Sequence, residues 1–284
     1  MPMCWTILTH TWQRVSKDNL SGLAAGAAFY ALLSIFPTLT ALVSLYGLVA
    51  DPNMVARQVT AIEGILPPEA VKLVATWLQI FVQGPPSRFG IGLIASVLFA
   101  FWSAWSATSI LMTAIHICYG EEEKRGFVRF NLRALALTGG LALFGTAALA
   151  LVAVLPAALA LLPVPDAWGD VIAFVRWPIL AGIVIVALAI VYHYAPDRAE
   201  PKWRWVSWGA VVATTLWILG SVAFTIYVSK VGTYDKTYGS LGAVIILLLW
   251  LDLSAYITLI GAELNAEIGR QAARKAPQHA GHAE

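Results

Sequence analysis

Charge is the scarcest commodity in this 284-residue chain. Asp, Glu, Lys and Arg make up 12% of it and apolar residues 59%, whereas soluble domains carry about 25% charged residues. So little charge cannot cover a body surrounded by water, and much of the surface must face lipid. The net charge is only +2, and no Lys/Arg-rich patch interleaved with aromatics is present, which argues against a nucleic-acid groove. There are two cysteines, Cys4 and Cys118, on different segments, so no disulfide framework is expected and both read as ordinary small side chains. The first residues lack the apolar core and small-residue cleavage site of a signal peptide. Neither HxxxH nor HExxH occurs, and G-x-S-x-G, Walker-type and dinucleotide-binding motifs are missing. No catalytic residue, metal ligand or cofactor is therefore expected, and the chain does not read as an enzyme. Nor is there an internal repeat of the inverted-transporter kind.

Long uncharged runs take the place of what is missing. Asp, Glu, Lys and Arg are absent from 19–50, 89–120, 134–165, 177–196 and 205–229, and a sixth run, 237–262, holds only Asp252. Each meets the roughly 20 residues needed to cross a hydrocarbon core. Lipid offers no partner to a free backbone N–H or C=O, so the runs must be helices. A barrel would show short alternating segments instead. The expected fold is all-α: a polytopic membrane protein with six spans over 19–265. An interfacial helix is expected over 1–18, with Met1, Trp5, Leu8, Trp12 and Val15 on one face. A polar tail is expected over 266–284.

Of the 18 Lys and Arg, twelve lie in the N-terminal segment, the loops 120–133 and 196–204 and the C-terminal tail, twice the number in the alternate loops. By the positive-inside tendency both termini are cytoplasmic. Trp168, Trp177, Trp203, Trp205 and Trp208 fall near span ends, at headgroup level. The long connection 51–88 carries an amphipathic pattern (Val71, Val74, Trp77, Leu78, Phe81, Val82) after Pro67 and Pro68. It reads either as helices on the outer mouth of the bundle or as a re-entrant hairpin.

Several intramembrane residues are candidates for a polar site. In the first span these are Tyr30, Ser34 and Pro37, the last freeing a carbonyl near Leu33; Gly22 and Gly26 form a small-residue face there. In the sixth span Asp252 sits near mid-membrane, where a charge costs roughly 2.5–3.5 kcal/mol on insertion scales. Asp252, Tyr256, Leu259 and Glu263 share one helical stripe, and Asp252 and Glu263 are roughly 16 Å apart along the axis. The stripe reads either as a proton- or cation-responsive site in a translocation path or as interhelical glue. His116 and His193, near span ends, have no second histidine at metal-ligand spacing.

Tyr238-Gly-Ser-Leu-Gly-Ala243, Leu248-Leu-Trp-Leu251 and Gly261-Ala-Glu-Leu-Asn-Ala266 resemble the C-terminal signature of the BrkB/YihY family of bacterial inner-membrane proteins. The stretch from Ala27 to Pro37 resembles its first-span signature, and Tyr192 to Pro201 with the Trp-rich stretch that follows also fits. The similarity runs from about Asn19 to Gly269, and its signature positions are Tyr238, Gly239, Gly242, Gly261, Glu263 and Asn265. The chain departs from the pattern at Asp252, where an aromatic is usual, and at His116, where many members carry Asn. The resemblance implies a six-helix protein of the bacterial inner membrane. It links the family to serum resistance and to envelope lipid or small-molecule transport; an older label as a tRNA-processing ribonuclease is generally regarded as mistaken. The leading expectation is a transporter or lipid translocase of the cell envelope that does not itself hydrolyse ATP. A scaffold for envelope assembly is the alternative, and a membrane-associated ribonuclease the remote one. Expected partners are membrane lipids, a lipid or small-molecule substrate and a second copy of the chain, but no nucleic acid.

Overall fold

The structure, a computed structural model, describes residues 3–49, 86–120, 126–149, 151, 166–197, 203–230 and 240–275. Among them are seven helices and no strand: α1 (Met3–Lys17), α2 (Leu20–Val49), α3 (Pro86–Tyr119), α4 (Phe127–Leu149), α5 (Asp166–Tyr194), α6 (Trp203–Lys230) and α7 (Ser240–Lys275). Helices α2 to α7 each contain a stretch long and apolar enough to cross a membrane: Leu20–Thr38, Ile94–Tyr119, Phe127–Ala148, Phe174–Tyr194, Trp208–Val228 and Val244–Gln271. The chain is an all-α, multi-pass membrane protein. Residues 51–85 lie outside the described residues, and with them the expected amphipathic connection.

Helix ends follow local chemistry. Asn19 takes a left-handed backbone (φ 49°) between α1 and α2, a conformation Asn tolerates through its short polar side chain. Its carbonyl accepts from the amides of Gly22 (3.1 Å) and Leu23 (3.4 Å), starting the next helix at once. Gly120 (φ 65°) closes α3, the position where a Cβ would be strained. Pro196 follows the end of α5, where a helix cannot easily continue. Helix α2 runs on through Pro37, with Thr38 Oγ1 donating to the Ser34 carbonyl at 2.7 Å.

Two boundaries differ from the sequence reading. Helix α4 begins before its uncharged run, with Arg129 and Arg133 exposed in its first turns; long basic side chains at a span end can reach the headgroups. Helix α7 continues to Lys275, so the expected polar tail starts as helix, and its first two residues, Ala266 and Glu267, are buried. On α1, Thr11 and Val15 are buried and turned towards the last helix, whereas Trp12 is 67% exposed.

The chain forms two units. The larger, Met1–Phe29 with Trp105–Glu284, draws its core from all seven helices: Val15, Leu20, Ala24, Met112, Ile115, Cys118, Ala134, Leu137, Val191, Tyr192, Ala210, Leu259, Ala262 and Ala266 among others. Many are alanines, and small side chains let helix backbones approach where lipid supplies no hydrophobic drive for association. Phe127, Leu132, Leu143, Phe174, Leu219 and Val222 are exposed on its outside, as a lipid-facing surface requires. In the smaller unit, Tyr30–Ala104, Tyr30 meets Trp102 edge to face at 5.8 Å, and Phe99 lies against Trp102 at 5.4 Å.

Candidate functional site: a buried charge network joining the first and last helices

The strongest concentration of chemistry in the larger unit lies on the last turns of α7. Glu263, Glu267, Arg270 and Gln271 recur at steps of four, three and one, which places them on one side of the helix. Glu263 has no exposed surface and Glu267 has 3%. Burying carboxylates costs several kcal/mol each unless they are paired, and the structure pairs them densely. The Arg270 guanidinium donates from Nη2 to Glu263 Oε1, from Nε to Glu267 Oε2 at 2.9 Å, and from Nη1 to the Cys118 carbonyl of α3 at 3.0 Å. One arginine thereby ties two acids of its own helix to the end of another.

Helix α1 completes the network from the far end of the chain. Arg14 Nε lies 3.9 Å from Glu263 Oε1, and His10 Nδ1 lies 3.3 Å from Glu267 Oε1. Gln271 Nε2 donates to that same Glu267 oxygen at 3.2 Å. Both guanidinium groups that reach Glu263 therefore address its Oε1 atom. Its Oε2 is buried and has no hydrogen-bond partner among the described residues, and the same is true of Thr11 Oγ1 on α1. The Cys118 thiol, also buried, points at the Leu259 carbonyl of α7 at 3.8 Å.

The opposite side of α7 carries a neutral polar seam. Gly209 N–H of α6 donates to Asn265 Oδ1 at 2.8 Å, and Tyr192 of α5 donates its hydroxyl to the Thr258 carbonyl at 2.7 Å. Further along, Trp217 Nε1 donates to Ser254 Oγ at 3.0 Å and Trp250 Nε1 to Ser221 Oγ at 3.4 Å. Gly261 is the tightest point. A Cβ there would meet Tyr192 Oη at 2.5 Å, Ala213 Cβ at 2.7 Å and the Gly209 carbonyl at 3.0 Å. At Gly209 a Cβ would overlap the Asn265 carboxamide. These two glycines let α5, α6 and α7 meet at one level. The pair Gly261 and Asn265 of the signature segment thus builds the junction, and Glu263 between them faces α1.

The residues singled out in the sequence are distributed as follows. Glu263 is the centre of the charge network. Asp252 is half-buried higher on α7 and makes no hydrogen bond or ion pair among the described residues, and Tyr256 packs beside the apolar core. Neither joins Glu263. Tyr30, Ser34 and Pro37 belong to the smaller unit, where Ser34 Oγ bonds back to the Ala31 carbonyl at 2.7 Å. Gly242 is buried; Tyr238 and Gly239 lie outside the described residues. His116 is buried, with Nδ1 2.7 Å from the Met112 carbonyl. Among the described residues no group of three or more His, Cys, Asp or Glu is arranged to hold a metal. Sequence reasoning missed His10, Arg14, Glu267 and Arg270. The spacing of 263, 267, 270 and 271 was a usable signal, hidden by ending the helix at residue 265.

Similarity to known proteins extends over nearly the whole chain. The model of the family described as Virulence factor BrkB matches residues 11–284. A ribonuclease-like protein of Bacillus subtilis, YfkH, is 31% identical over 276 residues, covering 92% of this chain and 94% of that protein. A UPF0761 membrane protein of Vibrio parahaemolyticus is 30% identical over 95% of this chain and 84% of its own length. Another, from Photobacterium profundum, is 28% identical over 93% of this chain and 81% of its own length. No solved structure matches. The chain belongs to the BrkB family of membrane proteins.

Proposed function

We propose that this member of the BrkB family is a transporter or lipid translocase of the bacterial cytoplasmic membrane, serving the cell envelope and not hydrolysing ATP itself. The end of the larger unit where α1 meets α7 is the end richest in Lys and Arg, which we assign to the cytoplasm. The observation that carries the reading is Glu263: a carboxylate with no exposed surface, held by arginines from α1 and from its own helix. Replacing such a group by packed apolar side chains is often neutral or stabilising. A charge kept at a span end therefore suits a contact that must be made and broken better than one that only holds. In this reading the network is a lock between the first and last helices, closed in the present arrangement, and the cargo crosses when it opens.

The ribonuclease-like description of the Bacillus relative suggests another activity. Its transfer to this chain lacks a supporting observation, because Glu263 and Glu267 are buried and Arg270 is engaged with three protein acceptors. The proposal is tested by reconstituting the purified full-length chain into phospholipid vesicles containing a headgroup-labelled phospholipid. Movement of the label between leaflets well above that of protein-free vesicles is expected, with a changed rate for Arg14→Gln. Label movement no faster than in protein-free vesicles removes the lipid-translocase reading.

A further inference from the structure

The two oxygens of Glu263 are used unequally. Arg270 and Arg14 both address Oε1, while Oε2 is buried with no partner among the described residues. A proton arriving at Oε2 displaces no N–H or O–H donor; the Cys118 thiol faces the same carboxylate, and the Arg270 bond to Oε1 can persist. The charge balance nevertheless changes. With Glu263 protonated, Arg14 loses the carboxylate charge that it lies 3.9 Å from. Arg270 keeps Glu267 at 2.9 Å and the Cys118 carbonyl, so the pair that weakens is Arg14–Glu263, the looser of the two at 3.9 Å.

We propose that Glu263 Oε2 is a proton-binding site, and that its occupancy decides whether α1 stays docked on α7. The step is the addition of one proton, delivered from the aqueous phase, to a carboxylate; no other bond is formed or broken. The groups facing Glu263 are Arg14, with Asp18 just beyond it, the Cys118 thiol and carbonyl of α3, and Glu267 and Arg270 on α7 itself. His10 on α1 lies 3.3 Å from Glu267, so release is read through the Glu263→Gln variant and not from acidification alone. The inference rests on the reading of this network as the lock of a translocation cycle, but its test reads the proton and the helix, so either can fail alone.

The test uses the full-length protein in lipid nanodiscs. Infrared difference spectra on acidification should show a protonated-carboxyl band that disappears in Glu263→Gln. Amide exchange, corrected for intrinsic pH dependence, should show α1 losing protection at least tenfold over the same pH range, and in Glu263→Gln at every pH. Arg14→Gln, which retains the carboxyl, should keep the band yet lack α1 protection throughout; it also serves if Glu263→Gln fails to fold. A spectrum without a Glu263 band overturns the site. A band accompanied by unchanged α1 protection overturns the coupling.

Discussion

Arg270→Gln is the perturbation whose size the structure defines best. Three acceptors lose their donor: Glu263, Glu267 at 2.9 Å and the Cys118 carbonyl at 3.0 Å. Hydrogen bonds to charged groups contribute about 1.5–3 kcal/mol each, and breaking a buried ion pair by removing one partner costs about 3–5 kcal/mol. Two features reduce the loss. Glutamine can satisfy one of the three acceptors, and Arg14 remains 3.9 Å from Glu263 as a counter-charge. The expected destabilisation is about 3 kcal/mol, roughly a hundredfold in the folded-to-unfolded ratio. It is read as the shift in midpoint of unfolding by sodium dodecyl sulfate in mixed micelles, followed by circular dichroism. The double variant Glu263→Gln/Arg270→Gln removes the orphaned charge as well, and should recover about half of the loss. If Arg270→Gln unfolds with the wild type, or if the double variant is worse than the single one, the buried pair is not what organises this end of the bundle.

Gly261→Ala should destabilise by about 1–3 kcal/mol through overpacking in the same unfolding assay, and Tyr192→Phe should partly relieve it by removing the hydroxyl that a Cβ would meet at 2.5 Å; a neutral Gly261→Ala refutes the close three-helix junction. Asn265→Ala removes the 2.8 Å interhelical acceptor of the Gly209 amide and should cost about 0.5–1.5 kcal/mol, against no change if the seam is incidental. Cys118, buried and free, should resist a membrane-permeant maleimide until the protein is unfolded, so rapid labelling of native Cys118 contradicts the core as described. Asp252→Asn should shift stability by no more than about 0.5 kcal/mol, since Asp252 has no ion-pair partner among the described residues; a large loss would identify a structural role for it.

The spans were legible because lipid imposes a rule that sequence obeys locally. A run without charge and about 20 residues long has few alternatives to a helix, and α2, α3 and α6 begin and end within a few residues of such runs. The signature segment was legible as a unit, though its mechanics were not. Nothing in the local pattern says that Gly261 carries the Tyr192 hydroxyl against its backbone, or that Asn265 reaches an amide 56 positions away. The charge network was the hardest part to read. His10 and Glu267 are separated by 257 positions, and pairing between chain ends leaves no periodic trace. Asp252 drew attention because a mid-span charge is expensive, yet Glu263 and Arg270, closer to the membrane edge, are where the structure concentrates its buried charges. On α1, apolar periodicity favoured the side bearing Trp12. Within the protein, Val15 of that face is buried together with Thr11, beside the contacts that His10 and Arg14 make to Glu267 and Glu263.

The central claim is that cargo movement needs the α1–α7 contact to open. It is tested most directly by tethering that contact in reconstituted vesicles. His10→Cys/Gln271→Cys, made in a Cys4→Ser background and bridged with a short cleavable bis-maleimide, should stop labelled-phospholipid movement, and cleavage of the linker should restore it. Movement at the same rate with the tether intact would contradict the account.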